Sequence, residues 1–322
     1  MDGSTLNPQA DESQGLDPDL RRIVQSLEAE LGQADAPPSP LDGGITNRNY
    51  RVSLGGSDYV VRMPGKDTDL LGIDRAAERQ ANDRAAAIGI APAVAAMLGD
   101  PPCIVTEFVE GRAVTAEELL EPATLAEIAA TLRALHDRCR PLEARFDSFR
   151  IVENYAELVR ERGGEVPSEF EGAHEVSQRI EAALGGADRD AVPCHNDLLI
   201  ANLIRGEEQL WLVDWEYAGM GDRYFDLANF AVNNQLAADD RRRFLALYFE
   251  REPRQTELAA LELMALMSDF REAMWGLVQS VISEIEFDFG AYAAKHFERL
   301  LAAASDEHFE RRLEEVGDGA SR

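Results

Sequence analysis

Residues 195–202 read HNDLLIAN, and nineteen positions after His195 the chain reaches Asp214 in VDWEYAG. A carboxylate, Asp197, and a carboxamide, Asn202, stand five residues apart on a turn between short β-prone runs. Both can point into one cavity while Leu198, Leu199 and Ile200 anchor the loop. Asp214, at the end of LWLVD, can reach the same cavity from an adjacent strand. Oxygen ligands from Asn202 and Asp214 suit Mg²⁺, a hard cation that takes few protein ligands and completes its shell with water and phosphate. Asp197 is then the carboxylate left to orient a hydroxyl nucleophile and accept its proton. That division of labour is phosphoryl transfer. His195 is assigned no chemistry.

The elements that must position these residues fall into two groups. Asp17-Pro18 starts a helix, with Leu20, Ile23, Val24, Leu27 and Leu31 at helical spacing. The runs NYRVSL and SDYVVRM, separated by Gly55-Gly56, predict a hairpin, and LDGGITNRN before them is a glycine turn leading into a strand. The Ala-rich segment 73–88 predicts a helix closed by Gly89, and APAVAAML and CIVTEFV predict two more strands. From 115 onward the period is mostly helical, and the strand candidates are AVPC, NLIRG and QLWLVD around the opening motif. The pattern predicts an α+β fold with a small antiparallel-sheet N-terminal lobe and a larger, mainly helical C-terminal lobe. The expected boundaries are a disordered acidic tail over 1–16, the first lobe with its leading helix over 17–108, the second over 109–313, and a disordered tail over 314–322.

Of the 322 residues 45% are hydrophobic and 29% charged, which is ordinary globular composition. No apolar run approaches the roughly 18 to 20 residues that span a bilayer, so no membrane insertion is expected. The formal charge is −28 and lysine occurs only at Lys66 and Lys295, a field that repels nucleic acid and anionic lipid. Such acidity suits a high-salt cytoplasm, or simply solubility. Cys103, Cys139 and Cys194 form no CxxC pair and fit neither a disulfide framework nor a zinc site, and the N-terminus lacks the features of a signal peptide. A reducing, cytoplasmic setting is expected.

HNDLLIAN resembles the H-x-D-x-x-x-x-N catalytic loop of the protein-kinase-like superfamily, and VDWEYAG stands where protein kinases carry D-F-G. Both spellings resemble those of the choline/ethanolamine kinase branch of the aminoglycoside-phosphotransferase-like enzymes, over roughly residues 41–305. The resemblance implies a two-lobed protein-kinase-like fold using ATP and Mg²⁺. It makes Asp197 the catalytic base, Asn202 and Asp214 the metal ligands, and Asp226 in RYFDLANF a structural acid beneath the catalytic loop. Protein kinases proper match less well, because A-P-E is absent and helix resumes by Asp222. In the small lobe, GGITNRNY lacks the GKS or GKT ending of a P-loop. The resemblance instead lays Gly43, Gly44, Thr46 and Asn47 over the phosphates, puts Arg62 where kinases have a phosphate-binding Lys, and gives it Glu78 as ion-pair partner. The segment TEFVEGR resembles the interlobe hinge, where Glu107 to Val109 would meet adenine.

Residues 275–292 resemble the choline-kinase segment whose aromatic residues box a quaternary ammonium by cation–π attraction, worth about 0.5 to 2 kcal/mol per contact. Trp275, Phe287 and Tyr292 fall on box positions. Glu272 stands where eukaryotic relatives have a second Trp, and Asn233 where they have a Glu. The carboxylate has in effect moved, since Glu272 lies one helical turn from Trp275 on the same face. The expected acceptor is a small cationic amino alcohol of choline or ethanolamine type. Alternatives are an aminoglycoside or other small-molecule acceptor, a catalytically silent pseudokinase, and a metal-dependent hydrolase using His195, Asp197 and Asp214, which would leave the small lobe without a task.

Overall fold

The structure, a computed structural model, describes residues 17–41, 47–65, 68–100, 102–185 and 191–320. The acidic segment 1–16 and the turn residues Gly43, Gly44 and Thr46 lie outside them. Helix α1 (Pro18–Leu31) begins where expected: the Asp17 carboxylate accepts the Asp19 N–H at 2.8 Å, and proline occupies the first turn. Its buried face of Leu20, Ile23, Val24 and Leu27 packs in one cluster with Val52, Leu54, Val61, Met63, Cys103 and Val105. Those residues come from a sheet of β1 (Ser39–Leu41), β2 (Asn47–Leu54), β3 (Ser57–Pro64), β4 (Val94–Gly99) and β5 (Pro102–Glu107), in the order β1-β2-β3-β5-β4. β2 and β3 form the predicted hairpin, pairing Leu54 with Ser57 across Gly55 and Gly56, whose φ values are +58° and +83°. Two left-handed residues match the strand twist, and a Cβ at Gly55 would stand 2.4 Å from the Leu31 carbonyl oxygen, so glycine is required there.

Two compact units result, one of residues Met1–Pro64 and Ala95–Thr106, the other of Gly65–Val94 and Glu107–Arg322. Helix α2 (Arg75–Ala86), expected within the first lobe, therefore belongs to the second unit. The reason is its apolar face: Ala81 and Ala85 sit in the same core cluster as Leu71, Ile90 and Tyr155, and the Tyr155 hydroxyl donates to the Leu71 carbonyl at 3.0 Å.

The second unit is mainly helical. After β6 (Gly111–Ala113) come α3 (Ala116–Leu119), α4 (Pro122–Arg138), α5 (Ser148–Glu161) and α6 (Glu169–Ala183). Short strands β7 (Val192–Cys194), β8 (Leu203–Gly206), β9 (Leu210–Leu212) and β10 (Gly219–Gly221) flank the polar motif; β7 pairs with β10, and β6, β8 and β9 form a second small sheet. Then follow α7 (Arg223–Asn233), α8 (Ala238–Phe249), α9 (Gln255–Ile282), α10 (Phe289–Ala304) and α11 (His308–Ala320). α9 is the axis of this unit, buried almost continuously from Ala259 to Gln279 and packed by α5, α6, α7, α10 and α11. The tail expected from 314 onward is instead helix as far as Ala320. Phe309 and Val316, two turns apart, are buried and close this helix onto the core.

α9 opens on a buried acid. The Glu257 carboxylate accepts both terminal nitrogens of Arg251 at 2.8 and 2.6 Å and the Arg254 N–H at 2.7 Å. Burial opposes its ionisation, yet these arginines and the backbone hold it down at about 2, below the ordinary 4.5. A depressed carboxyl stabilises the fold above its unfolded value and ceases to do so as pH falls through the folded one, so this contribution disappears between pH 4.5 and 2. Glu257→Gln should cost about 1–2 kcal/mol at pH 7, a figure reduced because Arg251 is nearly half exposed and Arg254 mostly exposed. The difference from wild type should shrink toward zero at the acid end of that window, as denaturant unfolding at several pH values will read.

Candidate active site

The loop that follows β7 is held from below by one carboxylate. Asp226, fully buried in the first turn of α7, accepts the N–H of His195 at 3.0 Å and of Asn196 at 2.7 Å. It also takes His136 Nε2 at 3.0 Å, while Tyr248 Oη meets His136 Nδ1 at 2.8 Å. Burial pushes the Asp226 carboxyl upward, but the His136 bond and charge and the backbone donors hold it below its ordinary value. Cys194 lies close enough that His136, Cys194 and Asp226 bring potential ligand atoms within 4.8 Å of one another. His136 and Asp226 are committed to the hydrogen bonds just described, so the cluster belongs to the support of the loop.

The loop itself is strained where it turns. Asn196 has φ +65° and Asp214 φ +71°, the left-handed region that non-glycine residues seldom occupy. His195 faces inward, its Nε2 against the Val213 carbonyl at 3.0 Å and its ring 4.8 Å from that of Trp215, so it ties the loop to the segment bearing Asp214. The Leu198 N–H donates to Asn229 Oδ1 at 2.7 Å, and Asn234 Nδ2 donates to the Leu198 carbonyl at 3.0 Å. Leu198 is thus the buried anchor. Leu199, expected to share that task, is 40% exposed, because the backbone reverses at this point into a short 3-10 turn over Ile200–Asn202.

Asp197 and Asn202 meet as the spacing predicted. Asn202 Nδ2 donates to the Asp197 carbonyl at 2.9 Å and lies 3.5 Å from Asp197 Oδ2. With its nitrogen so engaged, the amide keeps its oxygen for another partner, and Asp214 supplies a carboxylate in the same electrostatic environment. An oxygen pair of this kind fits Mg²⁺. The Asp197 carboxyl is pushed up to about 7: burial is the main cause, Arg271 opposes it, and the charges of Asp214, Glu272 and Glu216 add to it.

Arg271 was not anticipated. Its Nη1 stands 3.5 Å from Asp197 Oδ1 and donates to Glu272 Oε1 at 2.6 Å, with the guanidinium carbon 4.4 Å from the centre of the Tyr217 ring. Glu272 Oε2 in turn accepts the Tyr292 hydroxyl at 2.7 Å. Tyr292 makes edge contacts with Trp275 at 5.8 Å and Phe287 at 5.9 Å. The four residues expected on the acceptor side, Glu272, Trp275, Phe287 and Tyr292, are therefore one cluster, joined to Asp197 through Arg271.

The remaining expected residues are spread over both units. Asn47 on β2 and Arg62 on β3 are buried side chains of the first unit. Glu78 on α2 is buried in the second and accepts Arg75 Nη1 at 2.6 Å; Arg75 also lies 3.5 Å from Glu216. Arg75, like Arg271, escaped the sequence reading. Glu107 and Val109 line a cavity of 280 Å³ together with Pro92, the 206–209 turn and Trp211, and the Glu107 N–H donates to the Ala93 carbonyl at 2.9 Å.

Comparison with known proteins adds to this geometry. A family model described as choline/ethanolamine kinase matches residues 39–301. Ethanolamine kinase 2 of Mus musculus is 28% identical, with 88% of this chain and 80% of that protein covered. A choline/ethanolamine kinase family protein of known structure from Mesorhizobium loti is 28% identical, with a TM-score of 0.80 over 93% of this chain and 99% of the other. The choline kinase LicA of Streptococcus pneumoniae is similar in fold, with a TM-score of 0.74 at 22% identity over 88% of this chain and 98% of the other, and LicA has also been solved in complex with AMP. The fold is that of the protein-kinase-like enzymes.

Asp226→Asn removes the charge that answers His136 and one strong acceptor for the loop N–H groups. It should lower stability by about 2–4 kcal/mol, the usual cost of breaking a buried charged network. Chemical denaturation followed by tryptophan fluorescence will measure this, and a loss under 0.5 kcal/mol, the scale of an ordinary surface substitution, would contradict the anchoring role.

Proposed function

Because the chain belongs to the choline/ethanolamine kinase family and is a small-molecule kinase, we propose that it phosphorylates the hydroxyl of a small amino alcohol by direct in-line transfer from ATP. The observation that carries this reading is the cluster in which Glu272, held by Tyr292 beside Trp275 and Phe287, lies one guanidinium away from Asp197. A cationic head placed against Glu272 and the aromatic rings leaves its hydroxyl at Asp197. That carboxylate orients the hydroxyl and takes its proton as the bond to phosphorus forms. Asn202 and Asp214 would hold Mg²⁺, which supplies charge neutralisation on the phosphate oxygens when bound. Arg62 would neutralise further phosphate charge, and the backbone of Glu107 to Val109 would meet the base.

Glu272 favours a head group that retains N–H bonds. Its two oxygens already accept from Arg271 and Tyr292, so the lone pairs that remain are suited to directed donors. A primary ammonium can supply these, whereas a trimethylammonium relies on the aromatic faces alone. Ethanolamine is the better fit on this ground, with choline the comparison that matters.

Mg²⁺-dependent ADP release should accordingly appear with ethanolamine or choline and not with ATP alone. Silence across small amino alcohols with ATP still bound would overturn the reading. Asp197→Ala should reduce kcat by about 10²–10⁴-fold, the usual range for a positioned base, and leave ATP affinity within severalfold. Equal losses in both would remove Asp197 from that role. Asp214→Ala should instead raise the Mg²⁺ concentration needed for half-maximal rate about tenfold or more, since one of two protein ligands is gone; an unchanged requirement would exclude it as a ligand.

A further inference from the structure

The Arg271 side chain is 2% exposed, and its Nε and Nη2 find no hydrogen-bond acceptor among the described residues. Buried donors without acceptors destabilise a fold, and an apolar side chain of similar volume packed on Tyr217 would avoid that penalty. A cation kept here at such a cost calls for a reason other than stability. Its single engaged nitrogen, Nη1, lies between two carboxylates, Asp197 Oδ1 at 3.5 Å and Glu272 Oε1 at 2.6 Å. Asp197 is gripped from the other side by Asn202, which faces its Oδ2, so the two oxygens of the base have different neighbours. Glu272 is gripped from its far side by Tyr292. Without the guanidinium the two carboxylates would repel each other in a largely dry site and separate.

We propose that Arg271 is a positioning and specificity-determining residue: it sets the separation of the Asp197 and Glu272 carboxylates and so selects acceptors whose hydroxyl and ammonium sit on adjacent carbons. The inference rests on the acceptor reading given above. Two anionic groups that share one nitrogen are close together, and a two-carbon amino alcohol can place its hydroxyl on one and its head group on the other. A three-carbon homologue must fold back to do so, which costs it rotamer freedom and alignment at Asp197. The Tyr217 ring, 4.4 Å from the guanidinium carbon, backs the cation from one face and helps hold it in place.

The test compares kcat/KM for the two-carbon acceptor that the wild type uses, ethanolamine or choline, with that for its three-carbon homologue, in wild type, Arg271→Met and Arg271→Lys. Wild type should favour the two-carbon acceptor at least tenfold. Arg271→Met should lose about a hundredfold in kcat and collapse that preference to within threefold, with KM for ATP changed less than threefold. Arg271→Lys, which keeps a point charge but not the planar fork, should recover at least a tenth of the wild-type kcat and part of the preference, and it serves also should the Met variant fold poorly. A Met variant that keeps both kcat and preference within threefold of wild type would overturn the proposal, as would variants that lose stability and ATP affinity together with preference intact. A wild type with no amino alcohol turnover defeats the acceptor reading itself, and this inference with it.

Discussion

The carboxylate of Asp226 is the point on which the loop of residues 195–202 rests. A loop that leaves a short strand and reverses at once aims consecutive N–H groups inward, where no water meets them, and each left unpaired would be costly. One buried acid at the start of α7 answers two of them and is itself kept ionised by His136 and by the positive end of its helix. The left-handed backbone of Asn196 is tolerable only because its surroundings leave it no alternative. Farther along, Asn229 on α7 and Asn234, the residue that caps its C-terminus, take the backbone of Leu198, so one helix and its cap fix the loop on both sides of Asp197. α9 packs on α7 and brings Arg271 and Glu272 to the same place. The relation between the Asp197 and Glu272 carboxylates is therefore a matter of how two helices meet.

What could be read in advance was what depends on neighbours in sequence. Asp197 and Asn202 are close enough along the chain that one turn must bring them together, and Gly55-Gly56 carries its turn chemistry in its own two residues. α2 was legible as a helix but not in its allegiance, because a face made of alanine says little about what it packs against. The C-terminal tail looked polar, and the two apolar residues that seat it as α11, Phe309 and Val316, are too sparse to stand out. Arg271 was invisible for a different reason. An arginine inside an apolar helical pattern reads as a residue turned to solvent, and its partner Asp197 is far away in the chain; the pairing of His136 with Asp226 is hidden in the same way. Such contacts are created by packing and have no local signature.

The charge of the molecule poses a related question of scale. At a formal −28 the chain repels anions at long range, yet a kinase must admit a nucleotide. Salt screens exposed charges beyond roughly 8 Å at physiological ionic strength, so what a phosphate meets on arrival is decided by nearby groups. In the second unit the acids are partly answered by arginines, the buried Arg271 against Asp197 and Glu272 and the partly exposed Arg75 against Glu78 and Glu216. The preponderance of arginine over lysine is consistent with this duty, since a planar guanidinium bridges two carboxylates where an ammonium serves as a point charge.

α9 is at once the main beam of the helical unit and the carrier of Arg271, Glu272 and Trp275. In most enzymes acceptor preference can drift through surface loops, whose alteration leaves the fold intact. On the acceptor assignment proposed above, an exchange at any of these three buried residues is also an exchange in the protein's interior and bears on whether the chain folds at all. Diversification of this chain toward new alcohols is thereby channelled: compensating changes on α7 or α10 would have to accompany each new head group, and substrate range should evolve in coupled steps rather than by single replacements.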